Sequence, residues 1–108
     1  MSQYHSLIDG VSSGRVKMVK HILKNSKSID LTYDEGICFK SALKIRNAEM
    51  MKTLIGYFEN KQLSEYEEGS QDYVSLKNQV VEIIEEFTEY DILDDEMLYI
   101  IVTFKTVQ

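Results

Sequence analysis

Residues 14–23, Gly-Arg-Val-Lys-Met-Val-Lys-His-Ile-Leu, return in altered form 32 positions later, and this internal repeat constrains the fold more than any other feature of the chain. Under that shift Val19 falls on Met51, Lys20 on Lys52, Ile22 on Leu54 and Leu23 on Ile55. Upstream, Leu7, Gly10 and Val11 fall on Phe39, Ala42 and Leu43, which keeps the order large, small, large. A period in the low thirties with this pattern marks a stacked helix-turn-helix repeat.

Within each copy the apolar positions fit two short helices joined by a tight turn. Leu7, Gly10 and Val11 make one face and Val16, Val19, Ile22 and Leu23 the next. Gly14 between them can take the positive φ that closes a helix. Gly10 and Ala42 stand where the paired helix has to come close, so a large side chain there would push the pair apart. Helices of two to three turns are marginal alone in water, so each pair must be stabilised by a neighbour.

Residues 14–30 resemble, without a gap, the second helix and following loop of an ankyrin repeat. Residues 47–55, Asn-Ala-Glu-Met-Met-Lys-Thr-Leu-Ile, resemble the same helix in the next repeat. The family's Thr-Pro-Leu-His opening is replaced by His5-Ser6-Leu7-Ile8 and Ile37-Cys38-Phe39-Lys40. Arg46 stands where the turn glycine would be, so the second turn is expected to differ, with Asn47 taking the left-handed conformation. The resemblance covers residues 4–58. The alternative is an ordinary helical bundle whose two hairpins are alike by chance.

The whole chain, 108 residues with 44% hydrophobic content, reads as a single all-α domain. Residues 1–59 hold two ankyrin-like repeats, 60–70 an acidic connection anchored by Leu63 and Tyr66, and 71–108 a C-terminal helical cap. Helices are expected over 1–13, 16–25, 37–45, 48–59 and 71–90. The longest places Tyr73, Leu76, Val80, Ile83, Ile84 and Phe87 at spacings of three and four, with Ser70 as its N-cap. Residues 98–104 have a strand-like composition, yet nothing else in the chain offers a strand partner, so helix is favoured there.

Residues 26–36 are polar and turn-forming, with Ile29 and Leu31 as anchors. The family resemblance makes this the projecting loop, with Asp30, Thr32, Tyr33, Asp34 and Glu35 near its tip and the last four as partner contacts; the alternative is that Tyr33 folds back and packs. By the same resemblance Asp9, Ser12, Ser13, Ser41, Lys44 and Ile45 line a concave groove. Lys17, Lys20, Lys24 and Lys27 read as a solvated helix face.

Charge is divided along the chain. Residues 1–58 carry nine Lys and Arg against five Asp and Glu, a balance of +4, and residues 59–108 carry three against thirteen, a balance of −10. The acidic half repels a nucleic-acid duplex and fits a basic protein better. The expected role is a protein–protein interaction module working through loop and groove. The rival is a small acidic inhibitor or immunity-type protein that neutralises a basic partner through its C-terminal helices. A third reading makes the chain part of a longer repeat array, with apolar surface left open at one end.

No enzymatic activity, cofactor or metal is expected. Cys38 lies beside the buried Phe39 position and reads as a core residue, while His5 and His21 lack metal-ligand spacing. There is no glycine-rich phosphate loop followed by lysine. One cysteine fits a reducing compartment, and no apolar run is long enough to span a bilayer. With no signal-peptide pattern at the start, a cytoplasmic location is expected, in the producing cell or in a host cell for a secreted effector.

Overall fold

The computed structural model describes residues 3–89 and 93–106, and every regular element among them is helical. The expected first, fifth and last helices also include residues 1–2, 90–92 and 107–108, which lie outside the described residues. Six helices follow one another: α1 (Gln3–Ser12), α2 (Val16–Asn25), α3 (Tyr33–Lys44), α4 (Ala48–Tyr57), α5 (Gln71–Thr88) and α6 (Asp95–Thr106). A π turn (Phe58–Gln62) and a 3₁₀ turn (Leu63–Glu65) extend α4. None of the helices is long and apolar enough to cross a membrane, among the described residues. Residues 95–106 form the helix that the missing strand partner implied, with Asp94 accepting from the Met97 amide at 2.9 Å.

The internal repeat is reproduced in the helix limits. Moving α2 by 32 positions gives α4, and moving the end of α1 gives the end of α3. The turns also repeat. Gly14 N–H donates to the Val11 carbonyl at 3.0 Å and Arg15 N–H to Gly10 at 2.9 Å; Arg46 N–H donates to Leu43 at 3.1 Å and Asn47 N–H to Ala42 at 3.2 Å. These paired bonds close a helix around one left-handed residue. That residue is Gly14 at φ 72° in the first copy and Arg46 at φ 56° in the second.

The expectation for the second turn is therefore corrected. Asn47 has an extended φ of −97° and is the N-cap of α4, its side chain accepting from the Met50 amide at 2.9 Å. The capping role needs Asn47 outside the left-handed region. The neighbouring Arg46 then carries the strain, although arginine has no special tolerance for it.

Gly10 is buried where α1 meets α2, and a Cβ on it would lie 3.0 Å from Val19 Cγ2. That close approach is the one the large-small-large order requires. α3 packs against both α1 and α5, and α4 against both α2 and α6. The molecule is 34 × 34 × 20 Å, about two helices thick in its short dimension. Met50 and Leu54 are fully buried, while their counterparts Met18 and Ile22 are half-buried, because α2 packs on α1 and α4 whereas α4 packs on α2, α3 and α6.

Phe58 joins these parts. Its ring lies 6.1 Å from Phe39 and 6.0 Å from Phe104, both edge to face, linking α3, the π turn and α6. Lys77 of α5 sits 5.3 Å from the centre of the Phe104 ring, and Lys105 pairs with Glu85 at 3.5 Å, tying α5 to α6. Leu63 is buried, but Tyr66, expected to anchor the same connection, is 40% exposed.

The entry to α3 is strained. Asp34, Glu35 and Gly36 have φ of 52°, 58° and 73°, one left-handed turn ahead of the right-handed helix that begins at Ile37. Gly36 also faces α5 so closely that a Cβ would lie 2.5 Å from Ile83 Cδ1. Gly36→Ala therefore combines a disfavoured backbone with a clash and should lower stability by about 2–4 kcal/mol. Gly56→Ala is the control: no atom lies within 4 Å of its added Cβ, so helix propensity should raise stability by about 0.5–1 kcal/mol. Urea denaturation of the two variants beside the parent measures both. Arg46→Gly should likewise stabilise by about 1 kcal/mol by relieving the left-handed arginine, and an unchanged or lower midpoint would show that the arginine side chain offsets the strain.

Candidate functional site

The ten side chains expected to meet a partner lie along one strip formed by α1 and α3, grouped mainly at its two ends. At the start of both helices Tyr33 stacks on Tyr4, ring centres 4.0 Å apart and planes inclined by 14°. Tyr33 is nevertheless 46% exposed, so its packing and its accessibility coexist. Asp34 and Glu35 project from the left-handed turn, both exposed, with Glu35 paired to Lys40 at 3.8 Å. Thr32 is half-buried, its hydroxyl donating to Asp30 Oδ1 at 2.6 Å.

At the other end lie Ser12, Ser13, Lys44 and Ile45. Ser13 donates to the Asp9 carbonyl at 2.7 Å, and Ile45 is 38% exposed beside Gly14. Asp9 and Ser41, equivalent under the repeat, occupy the middle; Asp9 is exposed and lies 3.6 Å from His5. A ten-residue helix is about 15 Å long, which sets the distance between the two groups.

Residues 26–32 do not stand away from the helices as a projecting loop. Three consecutive amides are fastened by side chains from elsewhere: Ile29 N–H donates to the Tyr57 hydroxyl at 3.2 Å, Asp30 N–H to the Tyr4 hydroxyl at 2.9 Å and Leu31 N–H to Gln62 Oε1 at 2.8 Å. Ile29 and Leu31 are buried beneath this strap. Tyr33, Asp34 and Glu35 consequently follow a strap held against the helices and lead through the left-handed turn into α3.

Asp30 closes the strap. Partial burial pushes its carboxyl up, but hydrogen bonds from the Thr32 hydroxyl and amide and from Gln62 outweigh that effect and hold it below the ordinary carboxylate value. Cys38 is buried in α3, and burial pushes its thiol up to about 11. A thiol in that state is protonated at neutral pH and a poor nucleophile.

Two surfaces were not assembled by sequence reasoning. One is a groove of about 690 Å³ on the α2–α4 side, edged by Lys20, Lys24, Lys27 and Lys61 with Tyr57, Tyr66 and buried Leu23 and Ile29 among its walls. Lys20 and Lys24 of α2 and Lys27 beyond it are exposed as expected, and Lys61 joins them from the π turn. The other is the outer face of α6, where Leu98, Tyr99 and Val102 are 44%, 73% and 54% exposed at helical spacing. On α5, exposed Glu82, Glu86 and Glu89 recur at i, i+4 and i+7, an acidic ridge. Among the described residues no group of His, Cys, Asp and Glu is placed to hold a metal ion.

Comparison with known protein families, characterised proteins and solved structures returned no match. The duplicated helix pair, the strip and the groove are what a functional reading has to rest on.

The Asp30 interaction gives a pH dependence with a definite sign. A carboxylate held below its unfolded value stabilises the fold above the unfolded pKa, and that contribution disappears as pH falls through the folded value. The urea midpoint of the parent should exceed that of Asp30→Asn at pH 7, and the gap should close below about pH 4. A gap that persists unchanged at pH 3 would assign the effect to something other than the charge. Iodoacetamide should alkylate Cys38 far more slowly in the native protein than in urea, read by mass spectrometry; equal rates would show that the thiol is accessible.

Proposed function

We propose that the chain is a protein–protein interaction module of two ankyrin-like helix pairs, which holds a partner protein along the α1–α3 strip. The observation that carries this reading is the 32-residue duplication of helix limits and turn bonds, which fixes exposed polar side chains of α1 and α3 in equivalent places. The Tyr33–Asp34–Glu35 group forms one end of the contact and Ser12, Ser13, Lys44 and Ile45 the other, with Asp9 and Ser41 between. The strap keeps this surface preorganised, so little conformational entropy is lost on docking. A specific contact needs about 800 Å² from this side, which a strip of this length reaches only with both ends engaged.

A second reading is favoured by the acidic ridge. Glu82, Glu86 and Glu89 face solvent on one stripe of α5, the arrangement by which a small acidic protein neutralises a basic partner. The uncovered face of α6 is where a further helix pair would stack if these repeats belong to a longer array.

Affinity pull-down from cell lysate separates the readings when the intact chain is compared with two variants of equal helicity by circular dichroism. Tyr33→Ala with Lys44→Glu should reduce capture of a specific partner about tenfold or more, while Glu82→Lys, Glu86→Lys and Glu89→Lys together should leave it nearly intact. The reverse result would move the site to the acidic ridge, and equal capture by all three would remove both surfaces.

A further inference from the structure

We propose that the lysine-edged groove on the α2–α4 side is a second binding site, which takes an acidic, extended peptide segment. Its case does not depend on the α1–α3 strip. Lys20 and Lys24 stand one turn apart on α2, Lys27 follows the end of that helix, and Lys61 faces them from the π turn, so ammonium groups edge the groove from two walls. Lys20 lies 3.7 Å from Glu49. Lys24, Lys27 and Lys61 make no ion pair among the described residues, although the chain carries 18 acidic residues against 12 basic ones. Four lysines against Asp30 and Glu65 leave the lining of this concavity net positive in an otherwise acidic protein, a field that attracts an anion.

The shape of the groove selects the kind of anion. Tyr57, Tyr66 and Leu76 stand at its side above the buried Leu23 and Ile29, giving a limited aromatic and apolar surface between the charges. Residues one helical turn apart are about 6 Å apart, close to the roughly 7 Å between alternate side chains of an extended strand. A peptide with carboxylates at alternate positions and an apolar residue between them meets both features. Its size also suits a segment of a few residues, within the range of about 300–1,000 Å³ usual for ligand sites. Asp30 and Glu65 on the rim, together with a chain charge of −6, disfavour a continuous polyanion such as nucleic acid.

The test is fluorescence anisotropy with a labelled peptide alternating Glu and Leu, at low and at physiological salt. Saturable binding that weakens with salt is expected, and an amide-substituted peptide carrying Gln for Glu should not bind. Lys24→Glu, Lys27→Glu and Lys61→Glu together should weaken binding about tenfold or more, and each alone about two- to fivefold. Arg15→Glu, Lys17→Glu and Lys52→Glu, the same change of charge placed at exposed positions outside the groove, should leave affinity within about threefold. Circular dichroism confirms that the variants are folded, and the single reversals decide the matter if the triple one is not. The proposal is overturned by absence of saturable binding, by equal loss in the two triple variants, or by tighter binding of a single-stranded oligonucleotide of matched charge.

Discussion

Everything else in the molecule depends on the turn that ends α1 and α3 in the same way. Two amide-to-carbonyl bonds around a left-handed residue reverse the chain within three positions, and the carbonyls of Gly10 and Ala42 accept the longer of each pair of loops. Because the reversal is so tight, the returning helix must pass close to the residue that closes it. Glycine or alanine is required there, and Val19 reaches what would be the Cβ position of Gly10. Once each pair is fixed, its two helices are too short to stand alone, so the pairs have to bury their remaining apolar sides on one another. Phe39, Phe58 and Phe104 meet at the place where the second pair is covered from the C-terminal side.

The duplicated pairs were legible in the sequence because the signal is local and periodic. Small residues mark close approach, large ones mark burial, and both return at one interval. What was not legible came from distant residues acting on local backbone. The left-handed conformation at Arg46 contradicts local preference, which points to Asn47, yet the cap that Asn47 supplies to Met50 outweighs that preference. The strap over residues 29–31 is made by Tyr4, Tyr57 and Gln62, and no pattern within residues 26–36 announces three partners from three separate elements. Tyr66 stays 40% exposed on the wall of the α2–α4 groove, while its neighbour Leu63 is buried.

The candidate strip was legible as individual side chains but not as a shape. Resemblance placed ten residues in a loop and a groove, and the structure places them on α1, α3 and the residues that flank these two helices, grouped mainly at two ends about 15 Å apart. The lysines on α2 show the opposite case. As a sequence stripe they are indistinguishable from an ordinary solvated face, and the strap, α4 and the π turn that carries Lys61 make them the edge of a concavity. A single extra residue in the helical turn after Tyr57 is the kind of departure that hydrophobic periodicity does not register.

The left-handed turn at 34–36 connects the surfaces mechanically. Two non-glycine residues in that conformation cost about 1–2 kcal/mol each, and the third, Gly36, is pressed against Ile83. Such a turn persists because both of its sides are held: the strap fixes residues 29–31 before it, and α5 bears on Gly36 within it. Ile83 of α5 bears on Gly36, and Tyr33, stacked on Tyr4, leads directly into Asp34, so α5 and the aromatic end of the strip meet the same strained turn. A partner that displaced Tyr33 from Tyr4 would act on the turn directly, and through Gly36 on the seat of α5. The Tyr4–Tyr33 stack, the left-handed turn and the close approach of Gly36 to Ile83 are therefore consecutive links from α1 through α3 to α5.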